Sequence, residues 1–215
     1  MAKERTVVKQ VKNAILYSDG CIKLENVRAS YPHVGKPGEN ESDSEDAEGN
    51  KKIVLKYGIT GLLPKKTHVA AKDLCKSQIV KLMTDNEVKI PAHCWFLKNG
   101  DESEKETNHG MFTVATSENR RPTARDSRGR VIDDIEKIEE MFYGGCWVNI
   151  MIRPWYFNGT VKNSSKKYPK RICCGIVAVQ FVKNDDPFGE GRINDDGVFD
   201  AVDDDESFDD DNDDL

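Results

Sequence analysis

GGCWVNIMIRPWYF, residues 144–157, is the stretch that decides the fold, because it has the pattern of a β-strand throughout. Side chains alternate between the two faces of a strand, so we expect one face in the core: Cys146, Val148, Ile150 and Ile152. The opposite face mixes aromatic, amide and guanidinium groups, which is unusual for a plain solvent face: Trp147, Asn149, Met151, Arg153 and Trp155. Pro154 has no amide donor, which predicts a bend or a sheet edge there.

Outside this stretch, the apolar segments predict an all-β fold with one helical insertion. Apolar residues spaced by one, three and four positions predict a helix within residues 68–86. Residues 131–142 fit either a short helix or an irregular connector. The other predicted strands, two of them ended by Pro32 and Pro64, are residues 21–32, 51–64, 110–116 and 171–182. Five or so strands with one helix favour a barrel or a sandwich.

The charge of the chain divides at residue 184. Residues 184–215 have a net charge of −14 and residues 1–183 a net charge of +8, although the whole chain has only −6. This pattern predicts a nucleic-acid-binding domain over residues 1–183 and a disordered acidic tail over residues 184–215. A second acidic segment, at about residues 36–50, predicts a mobile loop.

The sequence also indicates a compartment. It contains no apolar run near the ~18 residues that a membrane span needs. The first ten residues have no apolar core of a signal peptide. The six cysteines form no CxxC pair. We therefore expect reduced thiols and a cytoplasmic protein.

Residues 153–171 are the most informative segment for function. They contain six Lys or Arg, four aromatic residues and no acid. Cations neutralise phosphates, and aromatic faces stack unpaired bases without reading their sequence. The alternative is that Trp155, Tyr156 and Phe157 fill the core beside a solvated loop. The predicted contacts to single-stranded nucleic acid are Arg153, Trp155, Lys162, Lys166, Lys167, Tyr168, Lys170 and Arg171.

A second basic cluster lies in residues 117–130. Arginine favours two-pronged contact with phosphate and stacking on bases. The alternative is a solvated loop. The predicted contacts here are Arg120, Arg121, Arg125, Arg128 and Arg130.

The acidic tail carries apolar residues that a purely repulsive segment would not need. Such spacing is typical of short docking motifs for basic, apolar-lined sites on partners. The tail could also lie on the basic groove of its own domain when nucleic acid is absent. The predicted partner-binding residues are Phe199, Phe208, Asp209, Asp210, Asp211, Asp213, Asp214 and Leu215.

Metal and catalytic sites are weakly supported. His93, Cys94 and His109 match no structural zinc spacing. The acidic pairs at residues 133–134 and 139–140 suggest a metal-dependent nuclease as an alternative function, but their polar, helix-like surroundings favour a solvated face. The sequence has no P-loop and no GxSxG motif. We therefore expect a protein that is not an enzyme and needs no cofactor or metal.

Three segments resemble a family of phage single-stranded DNA-binding proteins. They are VRASYPHVGKP at residues 27–37, GGCWVNIMIRPWYF at residues 144–157, and CGIVAVQFVKNDDPFGEG at residues 174–191. The pair Arg120–Arg121 before Pro122 adds to the resemblance. The ordered set spans most of residues 22–191.

The resemblance implies an OB-fold, a five-stranded barrel, with a helical insertion. It implies sequence-tolerant binding and protection of single-stranded DNA in phage replication, recombination or repair. On this DNA-binding hypothesis, we expect Trp147 of the mixed face to line the groove as well. It also implies that the acidic tail contacts replication or recombination enzymes. An RNA-binding or strand-annealing protein is the main alternative, followed by a nuclease and by an interaction protein that never touches nucleic acid. The chain could act as a monomer or a homodimer.

Overall fold

The computed structural model describes residues 5–45, 51–161 and 166–189. Within these ranges the chain is mostly β, with one long helix inserted between two strands, which confirms an all-β class with a helical insertion. The elements are β1 (Val7–Val11), β2 (Ala14–Tyr17), β3 (Ile22–Glu45), β4 (Lys51–Pro64), α1 (Val69–Asp85), β5 (Leu97–Asn99), β6 (Met111–Ala115), β7 (Thr123–Arg125), β8 (Val131–Ile132), α2 (Ile135–Met141), β9 (Trp147–Phe157) and β10 (Arg171–Lys183).

Strand β9 lies at the centre of a sheet with the order β5-β6-β4-β3-β9-β10-β7-β8. Ile150 of β9 lies opposite Leu24 of β3 on one side and Val179 of β10 on the other. The ladder with β3 reaches only to Ile152, so Pro154 follows at an edge on that side, as its missing donor predicts. Strand β10 pairs in parallel with β7 on its far side.

Two backbone hydrogen bonds join β10 to the chain on either side of the β5–β6 hairpin. The N–H of Phe96 donates to the carbonyl oxygen of Ile172, and the N–H of Ser117 donates to that of Cys174, each at 2.9 Å. Trp95 and Ile172 form an isolated parallel bridge at the same place. These bonds link β10 to the residue just before β5 and to the chain just after β6, the first two strands of the sheet order.

The core lies on the predicted face of β9. Cys146, Val148, Ile150 and Ile152 are all fully buried, which confirms the alternation in residues 144–157. Helix α1 covers this core with one stripe of buried side chains, as its spacing predicts: Ala71, Leu74, Cys75 and Ile79.

The predicted strand end at Pro32 is wrong. Strand β3 continues to Glu45 and pairs with β4 as far as Glu45 opposite Lys51. The register shifts between Ser30 and His33, and Tyr31 has a φ of +47°. Pro32 lies within this irregularity of the ladder, so its missing amide donor does not end the strand. The loop predicted at about residues 36–50 is therefore strand up to Glu45, and residues 46–50 lie outside the described ranges.

Three further local differences from the sequence expectations concern short elements. The β1–β2 hairpin was not expected from the sequence. The open choice for residues 131–142 resolves into β8 followed by helix α2, which Asp134 caps by accepting from the N–H of Glu136 at 3.0 Å. The basic segment 117–130 is not all loop, since it contains β7.

The described residues contain no helix with the length and apolar character to cross a membrane. None of the six cysteines, all of which lie in the described ranges, forms a disulfide bond. Burial raises the pKa of the Cys75 thiol to about 12. Burial is also the largest cause of the raised pKa of the Cys146 thiol, which is about 11. These two thiols are therefore unreactive near neutral pH.

Candidate nucleic-acid interface

The side of β9 and β10 that faces away from the core forms one continuous surface, which we call the outer face. The register pairs its residues across the two strands: Trp147 with Lys183, Asn149 with Gln180, Met151 with Ala178, Arg153 with Gly175, Trp155 with Cys173, and Phe157 with Arg171. At about 3.3 Å per residue the outer face is roughly 33 Å long. The sequence-predicted mixture of aromatic, amide and guanidinium groups therefore lies on one surface.

Aromatic and cationic side chains meet at the Phe157 end of the outer face. Trp155 is 44% exposed and packs edge-to-face on Phe157, with ring centroids 6.2 Å apart. The guanidinium of Arg171 lies 5.1 Å from the centroid of the Phe157 ring. Tyr156 points the other way and packs against the core. The alternative in which all three consecutive aromatic residues fill the core is thus wrong for Trp155.

Arg153 is the exposed cation beside this aromatic pair. Its side chain is 60% exposed, and the nearest carboxylate oxygen, from Glu118, lies 3.9 Å away. Gly175 stands opposite Arg153, where a Cβ atom would come within 2.8 Å of that carboxylate. An ion pair this long and this exposed contributes little to stability. Arg153 therefore keeps most of its capacity to bind an anion.

The arm between β9 and β10 begins as a small hairpin. The N–H of Tyr168 donates to the carbonyl oxygen of Gly159 at 2.8 Å, and Thr160 bridges to Lys167. Gly159 has a φ of +85°, which fits the turn predicted at this point. Three lysines are exposed on the described part of the arm: Lys166, Lys167 and Lys170. Lys162 lies outside the described residues.

The arginine cluster is divided between held and open side chains. Arg130 pairs with Asp126 at 2.7 Å, and the Nη1 of Arg125 donates to the carbonyl oxygen of Gly129 at 2.7 Å. Desolvation opposes the charged form of Asp126, but hydrogen bonds from Arg130 and Arg128 outweigh it, so the pKa of Asp126 is lowered. Within the described part of the chain, no hydrogen bond or ion pair engages the guanidinium groups of Arg120, Arg121 and Arg128.

Trp147 closes the other end of the outer face and is partly buried. Its indole N–H donates to a carboxylate oxygen of Asp185 at 2.6 Å, and the ammonium of Lys183 lies 5.6 Å from its ring centroid. The predicted contact of Trp147 with nucleic acid stays a prediction, since its polar edge already has a partner within the chain.

The start of the acidic segment is held on the domain by Arg28. The guanidinium donates to the carbonyl oxygens of Gly145 at 3.0 Å and Asp186 at 2.8 Å, and it lies 4.6 Å from the ring centroid of Phe188. The N–H of Phe188 donates to the carbonyl oxygen of Gly144 at 2.8 Å. The last described residues, 185–189, thus lie at the Trp147 end of the outer face.

A family model matches residues 21–210, and its family is described as the single-stranded DNA-binding protein of Enterobacter phage Enc34. The chain belongs to this family. The Enc34 protein solved in complex with single-stranded DNA is 35% identical, covers 87% of this chain and 100% of its own, and has a TM-score of 0.74. A second structure of the Enc34 protein is 34% identical, covers 92% of this chain and 100% of its own, and has a TM-score of 0.72. No curated protein matches the sequence.

Membership in the Enc34 family confirms the resemblance to phage single-stranded DNA-binding proteins. It does not test individual side chains, so the predicted DNA contacts stay predictions. The predicted partner-binding residues of the tail, from Phe199 to Leu215, lie outside the described residues. So does most of the predicted tail, and the domain boundary at residue 184 also stays a prediction.

One member of each acidic pair behind the nuclease alternative has a structural partner in this Enc34-family chain. Asp134 caps α2, and Glu139 accepts from the N–H groups of Gly35 at 3.1 Å and Lys36 at 3.0 Å. His109 contacts the carbonyl oxygen of Ser103 through its Nε2, at 2.9 Å. The described residues contain no cluster of three or more His, Cys, Asp or Glu that could hold a metal ion.

Sequence reasoning missed several residues of the outer face. Arg28 and Lys183 lie beside Trp147, Phe157 supports Trp155, and Gln180 lies in the middle opposite Asn149. Period-two alternation over residues 171–183 could not have selected both Gln180 and Lys183, because the register of β10 shifts between Ile176 and Ala178 and again between Phe181 and Lys183. Arg28 gave no signal either, because its partners are distant in sequence.

Proposed function

We propose that this chain binds single-stranded DNA with little dependence on sequence, and coats and protects it during phage DNA replication, recombination or repair in the host cytoplasm. The observation that carries the proposal is the outer face, where Arg153, Trp155 and Arg171 lie on the side of β9 and β10 that faces away from the core. Stacking on exposed aromatic rings contributes about 1–3 kcal/mol per base. The Enc34 relative that shares the family was solved with single-stranded DNA.

We also propose that the fold is an OB barrel of five strands, formed by β3, β4, β6, β9 and β10. The hydrogen bonds from Phe96 to Ile172 and from Ser117 to Cys174 support closure between β10 and the β5–β6 side. On this assignment the β3–β4 hairpin and the arm between β9 and β10 are the long loops on either side of the binding groove. OB-folds use loops in these positions to bind oligonucleotides.

The acidic tail has two proposed roles. It recruits replication or recombination enzymes, and it competes with DNA for the domain's own cations. The position of Phe188 supports the second role, because Phe188 lies on Arg28, next to Trp147 and at one end of the outer face. A segment with this much negative charge, tethered there, has a high effective concentration near the basic side chains.

The proposed function is tested by fluorescence anisotropy of labelled oligo-dT over a salt series. The full chain is compared with a truncation after Gly189, which keeps the contacts of Asp185 and Phe188. Salt-sensitive binding that tightens on truncation is the expected result, since counterion release makes the affinity fall as salt rises. Binding that does not change with salt would contradict the proposal that cations of this domain bind the phosphates. Unchanged affinity on truncation would contradict only the proposed competition by the tail, and the proposal of DNA binding would stand.

Two further measurements separate the alternatives. A matched RNA oligonucleotide tests the choice of nucleic acid, and tighter binding to RNA would overturn the preference for DNA. Incubation of labelled DNA with magnesium or manganese tests the proposal that the protein acts by binding alone. Cleavage that disappears when Asp133 and Asp134 are both changed to Ala would overturn it.

A further inference from the structure

A small pocket opens in the middle of the outer face. It has a volume of about 170 Å³ and is lined across four strands by Lys23, Arg125, Asn149, Met151, Ala178 and Gln180. Met151 and Ala178 form an apolar floor, and the small side chain of Ala178 leaves the space above it open. Polar groups surround this floor. The pocket has room for one planar ring with polar edges.

A chain of hydrogen bonds fixes the two amide groups of the pocket. The backbone N–H of Asn26 can only donate, so the Asn149 atom that it meets at 3.0 Å is the oxygen Oδ1. The Nδ2 of Asn149 therefore donates to the Oε1 of Gln180, at 3.0 Å. The Nε2 of Gln180 is consequently directed toward the carbonyl oxygen of Ser127, which lies 3.5 Å away.

The hydrogen-bonding capacity left in the pocket is mostly that of donors. Each amide oxygen accepts one bond and each amide nitrogen directs one hydrogen to a partner, so each of these atoms keeps one further position. Arg125 uses Nη1 for Gly129, and Lys23 gives one of its three hydrogens to Glu25 at 2.7 Å. The remaining N–H groups of these four side chains surround the apolar floor.

We propose that this pocket receives one nucleobase of the bound strand through a base carbonyl, and so favours thymine over adenine at that position. Thymine offers two carbonyl oxygens to the donors, whereas adenine offers only ring nitrogens as acceptors and brings its own amino donor against them. An amide normally reads adenine with its oxygen and its nitrogen together. Here each of the oxygens of Asn149 and Gln180 already accepts one bond from within the chain. The inference rests on the proposed binding of single-stranded DNA.

The test measures the Kd for oligo-dA and for oligo-dT of equal length, in the wild-type protein and in Gln180→Leu. Self-stacking of oligo-dA belongs to the DNA, so it cancels when the ratio of the two Kd values is compared between proteins. We expect the Kd(dA)/Kd(dT) ratio to fall about fivefold in Gln180→Leu, the low end of discrimination by paired hydrogen bonds. Arg125→Lys keeps the charge but loses the planar fork, and it should lower the ratio as well.

A change of charge provides the sharper comparison. Gln180→Glu replaces donors by acceptors, so the Kd(dA)/Kd(dT) ratio should fall below that of Gln180→Leu. Gln78→Glu on α1 is the matched control, because it adds the same charge away from the outer face and should leave the ratio at the wild-type value. Thermal unfolding verifies that each variant is folded, and Arg125→Lys serves as the test if Gln180 variants unfold.

The outcomes separate the pocket from the function. If all variants bind both oligonucleotides and keep the wild-type Kd(dA)/Kd(dT) ratio, the proposed base preference of the pocket is overturned and the proposed function is not. Binding of neither oligonucleotide by the wild-type protein overturns both. A ratio that falls in the Gln180 and Arg125 variants but not in Gln78→Glu supports the assignment.

Discussion

The indole N–H of Trp147 donates a hydrogen bond of 2.6 Å to Asp185, across 38 positions of sequence. It joins the first residue of β9 to the chain just after β10. This bond is the first cause of the lowered pKa of Asp185, followed by the N–H of Asp186 and by the charges of Arg28 and Lys183. The start of the acidic segment is therefore held in place while Asp185 is ionised.

The pKa of Asp185 should rise toward its ordinary value of 3.8 in Trp147→Phe. Because the folded-state pKa is the lower one, ionised Asp185 stabilises the folded state above the unfolded-state pKa, and this contribution is lost as pH falls through the folded-state pKa. A pH titration of the side-chain carboxyl signal by NMR measures the shift. Asp126, which is held by Arg130, is the internal control and should titrate alike in both proteins. An unchanged midpoint for Asp185 contradicts the prediction.

Trp155→Ala should weaken binding to oligo-dT by about 1–3 kcal/mol, because it removes one exposed stacking surface. The slope of log K against log salt should not change, since no charge is lost. Fluorescence anisotropy over a salt series measures both quantities. Tyr156→Phe, on the core side of the same strand, is the control and should bind normally. Wild-type affinity in Trp155→Ala would remove this ring from the interface.

Arg121→Gln should reduce the salt slope by about 0.7, the value for one phosphate contact on a single strand. Arg130→Gln should change it less, because Asp126 already neutralises that guanidinium at 2.7 Å. The two variants remove the same charge from the same segment, so each controls for the other. Equal slopes would show that the ion pair with Asp126 does not decide which arginine meets phosphate.

Ile150→Ala should destabilise the protein by about 2–5 kcal/mol, since it leaves a cavity where the side chain is fully buried. Met151→Ala, one residue on and on the outer face, should cost about 1 kcal/mol or less. Chemical denaturation measures both free energies of unfolding. A larger loss for Met151→Ala would mean that the assignment of the two faces of β9 is reversed.

Gly145→Ala should destabilise the protein by about 1–3 kcal/mol, because the φ of Gly145 is unfavourable for side chains. That φ is +111°, and the added Cβ would lie 2.3 Å from the carbonyl oxygen of Asp186. Gly20→Ala separates the two effects, since Gly20 has a φ of +80° with nothing near the added atom. Gly145→Ala should therefore be the more destabilised variant in thermal unfolding. Equal destabilisation would mean that the close approach of Asp186 has no energetic weight.

Local periodicity predicted the parts of the fold in which one pattern runs without interruption. Residues 144–157 alternate strictly, and residues 68–86 keep one apolar stripe, so β9 and α1 could be predicted from sequence. Pro32 misled the prediction, because a register shift beside it is a property of the paired strand and not of the residue. The β1–β2 hairpin was missed because its first strand is largely exposed.

The sequence predicts which kinds of residues form the candidate site, but it does not predict their contacts with one another. Arginines 125 and 130 are indistinguishable in the sequence, yet they end on different partners, Gly129 and Asp126. Trp147 and Trp155 share one face of β9, but only Trp155 is free of a polar partner at its edge among the described residues. These differences depend on residues brought together by the register of the sheet, which periodicity does not specify.

The contacts of Arg28 with Asp186 and Phe188 have a consequence for an array of molecules. They hold residues 186 and 188 at one end of the outer face. A DNA strand has a direction, and if it follows the outer face as proposed, copies bound in the same orientation would all place residues 186 and 188 toward the same end of the strand. On the proposed role of the acidic tail, the coated strand would then present its recruiting segments with a defined polarity.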